Sequence, residues 1–522
     1  MTKEPTSKRW IALAALCVAV FMSLLDVTIV NVALPTIQHD LNETFSDLQW
    51  IINAYTLAYA AFLLLAAKLG DIFGRKRLFL IELVIFTAGS LASALSQTSF
   101  QLNLFRAMQG LGGAGMMTLS MAIVATTFHD RERGVAFGIW SSVIGFATAI
   151  GPLLGGWLIQ TFSWRAIFLI NVPVGLLAIL VAIFFVDESR AQQSERIDWL
   201  GMIISIAMIF LLVYGLVQKE THAAWTWFQP QVAGYLVGGV ALLIVFIVLE
   251  QHLQAPMVDL TIFKSVSFDG TILAAFCLGA ALYSFFTYLT VWMQNYLGYS
   301  AMQTGIRQLA ISLFSLILGP VAGALTNRIQ KRWLIGAGLF LIAGGLLVIN
   351  QAVSIQTTYL SFVGGFVLLG IGNAIVNPPL SSAAMDSVAI HQVGIASGVL
   401  NVFRQLGISF GIVILGLRMS AAYNPAITHQ FAKLPLPQQA VHGITHALQQ
   451  AGPISGNVVL KGVRHTALQY PNGGVLMHKM SNAVFAAFNT GFRSVLMTAI
   501  AFALIGGLAA VFFIRDRAKN KM

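Results

Sequence analysis

Residues 63–83 read LLLAAKLGDIFGRKRLFLIEL, a short charged segment between two apolar runs. Gly70 and Gly74 permit a tight turn in this segment. Asp71 and Arg75 add opposite charges to it. Each flanking run is long enough to cross the hydrocarbon core of a bilayer, which takes about 20 residues of helix. The segment therefore predicts two membrane-spanning helices joined by a short charged loop.

The rest of the chain has the same apolar character. Of its 522 residues, 57% are hydrophobic and 9% are charged, and the mean hydropathy is +0.80, whereas soluble domains carry roughly 25% charged residues. The net charge of +11 forms no basic face, because lysines and arginines are scattered between apolar runs. The phosphate-binding signature G-x-x-x-x-G-K-[ST] is also missing from the sequence. We therefore expect a polytopic membrane protein that is no enzyme, binds no nucleic acid and is not driven by ATP.

Apolar stretches long enough to span a bilayer recur along the whole chain. Cys17 and Cys277 lie inside two of them, so we expect neither a disulfide nor a metal site. The sequence predicts an all-α protein with 14 spans, near residues 11–35, 48–69, 78–96, 101–126, 134–159, 166–186, 198–217, 230–250, 269–296, 304–326, 333–350, 357–380, 394–417 and 492–514.

Lysines and arginines are divided unevenly between the two sides of this arrangement. With the amino terminus inside, the inner segments hold basic groups such as residues 75–77 and 331–332, whereas the short outer segments hold only Arg165, Lys219 and Arg307. The positive-inside rule then places both termini in the cytoplasm. We expect a multi-pass protein of the bacterial cytoplasmic (inner) membrane.

A long polar stretch, residues 418–490, separates the last two spans and is predicted to lie outside. Within it, residues 457–468 fit a β-hairpin, a disordered segment or an interfacial helix. Its histidines lack the close spacing of metal ligands.

The two halves of the chain resemble each other. A shift of about 260 residues places Gly134 on Gly394 and Gly151 on Gly411. This repeat predicts two parallel six-helix bundles, in residues 1–186 and 269–522, with two extra central helices inserted within residues 187–268.

Several charged residues lie within the predicted spans. A carboxylate at mid-helix costs roughly 2.5–3.5 kcal/mol, so Asp26 is expected to face a cavity. Arg404 has no obvious acidic partner, and both anion attraction and backbone capping remain open for it. Glu82 is close enough to Arg77 for us to expect it to reach the inner interface by snorkelling.

The loop after the second span resembles the loop signature of the major facilitator superfamily, usually written G-x-L-a-D-r-x-G-r-k. Ala67 stands at its first glycine and Gly70 at its alanine. Four further motifs resemble those of the 14-span drug:proton antiporters within that superfamily. They are LDVTIVNVALP at 25–35, LFRAMQG at 104–110, GPLLGG at 151–156 and WRAIFLINVP at 164–173.

The resemblance implies roles for particular residues, each with a simpler alternative. Proton coupling is implied for Asp26 and Arg106, which otherwise form a static ion pair. A cytoplasmic gate, instead of a merely topogenic loop, is implied for Gly70, Asp71, Gly74, Arg75 and Lys76. A hinge or proton seal, instead of helix packing alone, is implied for the antiporter motif Gly151, Pro152, Gly155 and Gly156. The candidate substrate-cavity residues are Asn31, Tyr55, Tyr59, Gln109, Trp140, Tyr283, Tyr288 and Arg404.

The function implied is proton-coupled efflux of drugs or toxic compounds by alternating access, with the proton gradient as energy source and no cofactor or metal. Export of one endogenous metabolite, lipid or siderophore is the alternative, and a transport-dead receptor or scaffold is a third. The spans after Asp269 carry no acidic residue beyond their edges, so we expect a neutral or monocationic lipophilic substrate. A periplasmic adaptor partner remains open.

Overall fold

The computed structural model describes residues 6–41, 45–190, 198–222, 225–253, 255–453, 459–460, 462 and 473–515. These residues are almost entirely helical. Fourteen of the helices described are long and apolar enough to span a membrane when one bent helix is counted as a single span. The predicted fold class, an all-α polytopic membrane protein, is confirmed.

The spanning helices are numbered in chain order. They are α1 (Thr6–Leu41), α2 (Phe45–Phe73), α3 (Arg75–Leu95), α4 (Ser99–Thr127), α5 (Asp130–Thr161), α6 (Ala166–Phe185), α7 (Trp199–Thr221), α8 (Pro230–His252), α9 (Val266–Tyr296), α10 (Ala301–Leu325), α11 (Lys331–Ala352), α12 (Tyr359–Asp386), α13 (Val393–Phe431) and α14 (Gly473–Phe513).

Two of these helices depart from regular α-helical geometry. Helix α5 bends by 46° between Glu132–Ala147 and Ile150–Thr161, because Pro152 cannot donate a backbone hydrogen bond to the preceding turn. Helix α9 contains two π-helical segments, Gly279–Tyr283 and Trp292–Tyr296.

The helices pack as two bundles with a pair between them. Helices α1–α6 pack on one another, and so do α9–α14. Helices α7 and α8 pack as a pair, and α7 lies against α2 of the first bundle and α13 of the second. The bundles meet chiefly where α5 packs against α10, and α2 against α13. This arrangement agrees with two six-helix bundles plus two extra central helices.

Small residues allow the helix backbones to approach closely, as expected in a membrane where burial of apolar surface gives no advantage. In the α11–α12 pair, a Cβ atom at Gly372 would lie 2.6 Å from the carbonyl oxygen of Gly338 and 2.8 Å from the side chain of Ile342. Gly364, on the same helix α12, has open space around its Cβ position. Gly372 therefore lies on a tightly packed face of α12, and Gly364 does not.

The polar stretch between the last two spans is helical at both ends. Helix α13 continues to Phe431, and α14 already begins at Gly473. Between them, the loop helix (Gln438–Ala451) packs Leu448 into a small apolar cluster with Tyr423 and Val484. Most of the segment that fits a β-hairpin lies outside the described residues.

The packing of α12 predicts the effect of a matched pair of substitutions. Gly372→Leu should destabilise the protein because its side chain would overlap the α11 backbone, and such overpacking costs about 1–3 kcal/mol. Gly364→Leu should be neutral. Both cysteines, Cys17 and Cys277, are buried, so a thiol-reactive fluorogenic dye reports unfolding of the purified protein on heating. Equal melting temperatures for the two variants would contradict this account of α11–α12 packing.

Candidate functional site

Asp26 lies inside the first bundle, completely shielded from solvent. Arg106 of α4 forms an ion pair with it, from Nη1 to Oδ2. Gln109, one turn further along α4, accepts a hydrogen bond from Arg106 Nη1 at 2.8 Å and donates one to Asp26 Oδ1 at 3.2 Å. Each charge thus has a polar partner besides the opposite charge, which a buried ion pair needs if it is to be stable.

Three further helices complete the environment of this ion pair. Asn171 of α6 donates to Asp26 Oδ1 at 3.4 Å and to Ser90 of α3 at 3.0 Å. The Nε of Arg106 donates to the carbonyl oxygen of Ile51 in α2 at 3.2 Å. Sequence reasoning quoted Asn171 within a motif but gave it no role. The sequence feature that could have indicated a role for Asn171 is an amide side chain near the start of an apolar span.

A pair of tyrosines connects the ion pair to the space between the bundles. The guanidinium of Arg106 lies 4.5 Å from the centroid of the Tyr55 ring, a cation–π contact. Tyr55 stacks on Tyr59, with centroids 5.9 Å apart, and its hydroxyl lies 2.9 Å from Ser23 Oγ. Tyr55 is buried, whereas Tyr59 is half-buried. Of the aromatic candidates in the first half, Tyr59 is therefore the most exposed.

The antiporter motif of α5 packs directly on the helix that carries Asp26. A Cβ at Gly151 would collide with Thr28, and a Cβ at Gly155 would approach Ile29 to 2.7 Å. Gly156 has open space around it. Gly151 and Gly155 therefore let α5 cross α1 within one turn of Asp26, next to the bend at Pro152.

The charged loop lies at the junction of the two bundles. Asp71 Oδ1 accepts hydrogen bonds from Arg75 Nε at 2.9 Å and Nη2 at 2.7 Å. Its carboxylate also occupies the space beside Gly394, in the first turn of α13, where a Cβ would collide with it. A carboxylate at a helix amino terminus is stabilised by the helix dipole. Asp71 thus links the first bundle to the second.

The backbone of the loop depends on Gly74, whose φ of +111° favours glycine. The carboxylate of Glu188 fills the space beside Gly74. It accepts hydrogen bonds from the backbone amides of Lys76 at 3.0 Å and Arg77 at 3.2 Å. Gly70 in turn packs against Leu119 of α4. Glu188 thus caps the start of α3, a role that sequence reasoning missed.

Other contacts between the bundles lie on the side of this loop. The backbones of α5 and α10 meet where Gly134 packs against Gly323. Ser397 of α13 donates to the carbonyl oxygen of Thr118 in α4 at 3.0 Å. Asp386 pairs with Lys331 of its own bundle and, at 2.8 Å, with Arg133 of the other. The loop side of the protein is therefore closed.

The remaining candidate cavity residues divide into three groups. Trp140 is fully buried and donates its indole N–H to Ser120 at 3.1 Å, and the Tyr288 hydroxyl donates to the Ile412 carbonyl at 2.6 Å. These two side chains contribute to packing within their bundles. Asn31 is exposed, with its amide bonded to the Val27 carbonyl.

Tyr283 and Arg404 lie together where the second bundle faces the first. The hydroxyl of Tyr283 is 3.1 Å from Asn377 Nδ2, and Asn377 is bonded to Asn373 at 2.8 Å. Arg404 is buried on α13, and its charge interacts with Tyr283 and with Tyr59 of the first bundle.

Glu82 differs from the expectation of snorkelling. Its side chain occupies the space beside Gly115 of α4, where a Cβ would overlap it, and its Oε2 atom is buried. The α3–α4 interface therefore holds the carboxyl group inside the first bundle.

Known membrane transporters resemble this chain in sequence. The sequence profile of the Major Facilitator Superfamily matches residues 16–412. Multidrug resistance protein Stp of Mycobacterium tuberculosis (strain ATCC 25618 / H37Rv) is 34% identical over 432 residues, covering 82% of this chain and 79% of Stp. The tetracenomycin C resistance and export protein of Streptomyces glaucescens is 30% identical over 514 residues, covering 96% and 91%.

Solved structures show the same fold. The proton:xylose symporter XylE superposes with a TM-score of 0.64 at 13% sequence identity, covering 98% of this chain and 97% of XylE. The resemblance indicated by the loop signature is confirmed along most of the chain. This protein therefore belongs to the Major Facilitator Superfamily of membrane transporters.

Proposed function

We propose that this protein exports lipophilic small molecules in exchange for protons, by alternating access between its two bundles. The observation that carries the proposal is the buried group Asp26, Arg106, Gln109 and Asn171. A titratable carboxylate is held there by an arginine inside a membrane protein, where intramembrane charges mark proton or substrate pathways.

The direction of transport is inferred from the relatives. Stp is named a multidrug resistance protein, and the Streptomyces glaucescens relative is named a resistance and export protein. Both come from bacteria. Taken with the basic inner loops, they support a location in the bacterial inner membrane with both termini in the cytoplasm.

Protonation of Asp26 supplies the coupling step in this proposal. A neutral Asp26 no longer attracts Arg106, so the guanidinium is free to reorient against the ring of Tyr55. Because Gly151 and Gly155 pack α5 onto α1 beside Asp26, a change in that ion pair is transmitted to α5. Helix α5 in turn carries much of the contact with α10 of the second bundle.

The charged loop is the proposed gate. Asp71 holds the start of α13 while the loop side is closed, and Arg75 keeps the carboxylate in position. Opening this side requires the carboxylate to leave the helix terminus. The gate therefore favours the state in which the cavity opens on the opposite, outer side.

The substrates proposed are neutral or monocationic lipophiles, held by aromatic side chains such as Tyr59 and Tyr283. A dication in a low-dielectric cavity needs more than one compensating carboxylate. The only acidic residues within α9–α14 are Asp269, at the start of α9, and Asp386, at the end of α12.

A second candidate is the export of one particular natural product. Relatives named for single compounds favour it, such as the cephamycin export protein CmcT of Amycolatopsis lactamdurans, which is 34% identical over 416 residues. The two candidates share the mechanism and differ in the range of substrates.

The first prediction from the proposed function concerns Asp26→Asn, which keeps the shape of the side chain and removes the titratable charge. Uphill export should be abolished while the protein stays folded and inserted. One proton supplies about 2.3 kcal/mol per 100 mV and roughly 1.4 kcal/mol per pH unit. Export of ethidium from everted vesicles, with a pH indicator, is the measurement. Asp40→Asn is the control, because Asp40 lies on the same helix but pairs with Arg165 at an exposed site. Normal gradient-driven export by the Asp26 variant would falsify the assignment.

A second prediction concerns Asp71→Ala, which should open the loop side without removing substrate binding. Spin labels at His129→Cys and Arg328→Cys report the distance between the bundles on that side. Loss of the contact with α13 should enlarge the population at long distance. Asp187→Ala is the matched control, since Asp187 pairs with Lys8 within the first bundle. An unchanged distribution in the Asp71 variant contradicts the gate.

The third prediction concerns substrate charge. Ethidium and propidium share one chromophore, but propidium carries a second positive charge. Vesicles should export ethidium more efficiently, because the second bundle offers no carboxylate away from the ends of its helices to compensate the additional charge. Export of propidium at equal or greater efficiency would show that another acidic group reaches the cavity.

A further inference from the structure

Arg404 is a buried cation whose hydrogen-bonding capacity is largely unused. It lies in the first third of α13 and is 5% exposed. Its Nη1 donates to Asn401 Oδ1 at 3.3 Å, and its Nε and Nη2 atoms are buried with no hydrogen-bond partner among the described residues. An arginine stays charged in proteins, and a charge without compensation is costly inside a membrane.

Comparison with Arg106 shows what Arg404 lacks. Arg106 has the carboxylate of Asp26, the amide oxygen of Gln109 and the carbonyl of Ile51 as acceptors. Arg404 has one amide oxygen and, among the described residues, no ion-pair partner. Backbone capping, an alternative left open by the sequence, is not what the described contacts show for this side chain.

The neighbours of Arg404 form a polar site between the bundles. Its charge interacts with Tyr283, in the first π-helical segment of α9, and with Tyr59 of α2. Both tyrosines are half-buried. Tyr283 is bonded in turn to Asn373 and Asn377 of α12. A substrate that enters between the bundles therefore meets two aromatic rings, two amides and a cation.

The packing of α9 on α13 holds this arrangement in place. A Cβ at Gly279 would lie 2.5 Å from the carbonyl oxygen of Arg404 and 3.0 Å from the backbone nitrogen of Ile408. The close approach at the start of the π-helical segment thus sets α9 directly against the turn of α13 that bears Arg404. The backbone at Arg404 is thus fixed by packing, while the hydrogen bond given for the guanidinium among the described residues is the one to Asn401.

We propose that Arg404 binds an acidic oxygen group, such as a carboxylate, on the lipophilic substrate. The two unpartnered nitrogens, Nε and Nη2, can donate side by side to the two oxygens of one carboxylate. The inference rests on the proposed export function and adds to it a preference, among the substrates, for compounds that carry such a group, including zwitterions that are neutral overall.

This site is close to the proton-coupling group. Arg404 interacts with Tyr59, Tyr59 stacks on Tyr55, and Tyr55 lies under the guanidinium of Arg106. The two stacked rings thus lie near both cations, Arg404 and Arg106.

The test uses rhodamine B, a zwitterion with a free carboxylate, and its ethyl ester, a monocation that lacks it. Fluorescence anisotropy measures equilibrium binding of each dye to the purified full-length protein without a proton gradient. Wild-type protein should bind rhodamine B at least tenfold more tightly than the ester. Arg404→Gln should reduce that preference to within twofold, and Arg404→Lys should retain part of it.

Arg418→Gln is the matched control, because it removes the same charge from an exposed position on α13 and should leave the preference unchanged. A second measurement needs no variant: benzoate should displace rhodamine B from wild-type protein, whereas benzyl alcohol should not. The proposal is overturned if wild-type protein shows no preference for rhodamine B or binds neither dye, or if Arg404→Gln keeps the preference. Displacement by phosphatidylglycerol but not by benzoate assigns the site to a lipid headgroup and also overturns it.

Failure of the export function is recognised separately. Gradient-driven export of ethidium in vesicles tests the transport function without involving a carboxylate. A dye preference that depends on Arg404, together with no gradient-driven export, refutes proton-driven export and leaves the binding site standing. Export without that preference refutes only the binding site.

Discussion

The ion pair between Asp26 and Arg106 is the constraint on which the first bundle depends. Two charges buried in a membrane are stable only when their remaining polar atoms are also satisfied. Acceptors and donors from α2, α4 and α6 meet this requirement, and α3 supports Asn171 through Ser90. These helices must therefore converge on α1 at one depth, and Gly151 lets α5 close over the same turn.

Much of this organisation is predictable from the sequence because it depends on the order of apolar and charged residues along the chain. The length of apolar runs gives the spans, and the uneven distribution of lysine and arginine gives a topology. The cost of a mid-helix carboxylate singles out Asp26. Hydropathy, however, does not predict where a helix that extends beyond the bilayer ends. Helix α13 therefore continues into the segment expected to be a loop, stabilised by Tyr423 and Ile427 in a separate apolar cluster.

The roles of individual side chains were less predictable, because they depend on the direction in which each side chain points. Trp140 and Tyr288 lie on helices expected to line a cavity, yet both pack within their bundles. Glu82 is near enough to the membrane surface to snorkel, but Gly115 leaves a space that its side chain fills.

Asn171 and Glu188 gain their roles only from neighbours more than 70 residues away in sequence. Rotation of a helix about its axis decides such contacts, and a helix that is apolar on all sides does not encode that rotation.

The contacts that close the loop side suit a protein that opens on this side in the proposed transport cycle. A carboxylate at a helix terminus contributes typically 0.3–1 kcal/mol, and exposed ion pairs contribute about 0–1 kcal/mol. The pair between Arg133 and Asp386 is of the second kind, with side chains 21% and 40% exposed. These two polar links are therefore weak individually. One proton crossing a membrane at 100 mV supplies about 2.3 kcal/mol, so the proposed driving force exceeds the contribution of either link. The Asp26 ion pair, in contrast, is buried and fully satisfied. In the proposed transport cycle, the weaker contacts between the bundles therefore exchange more readily than the helix packing within each bundle.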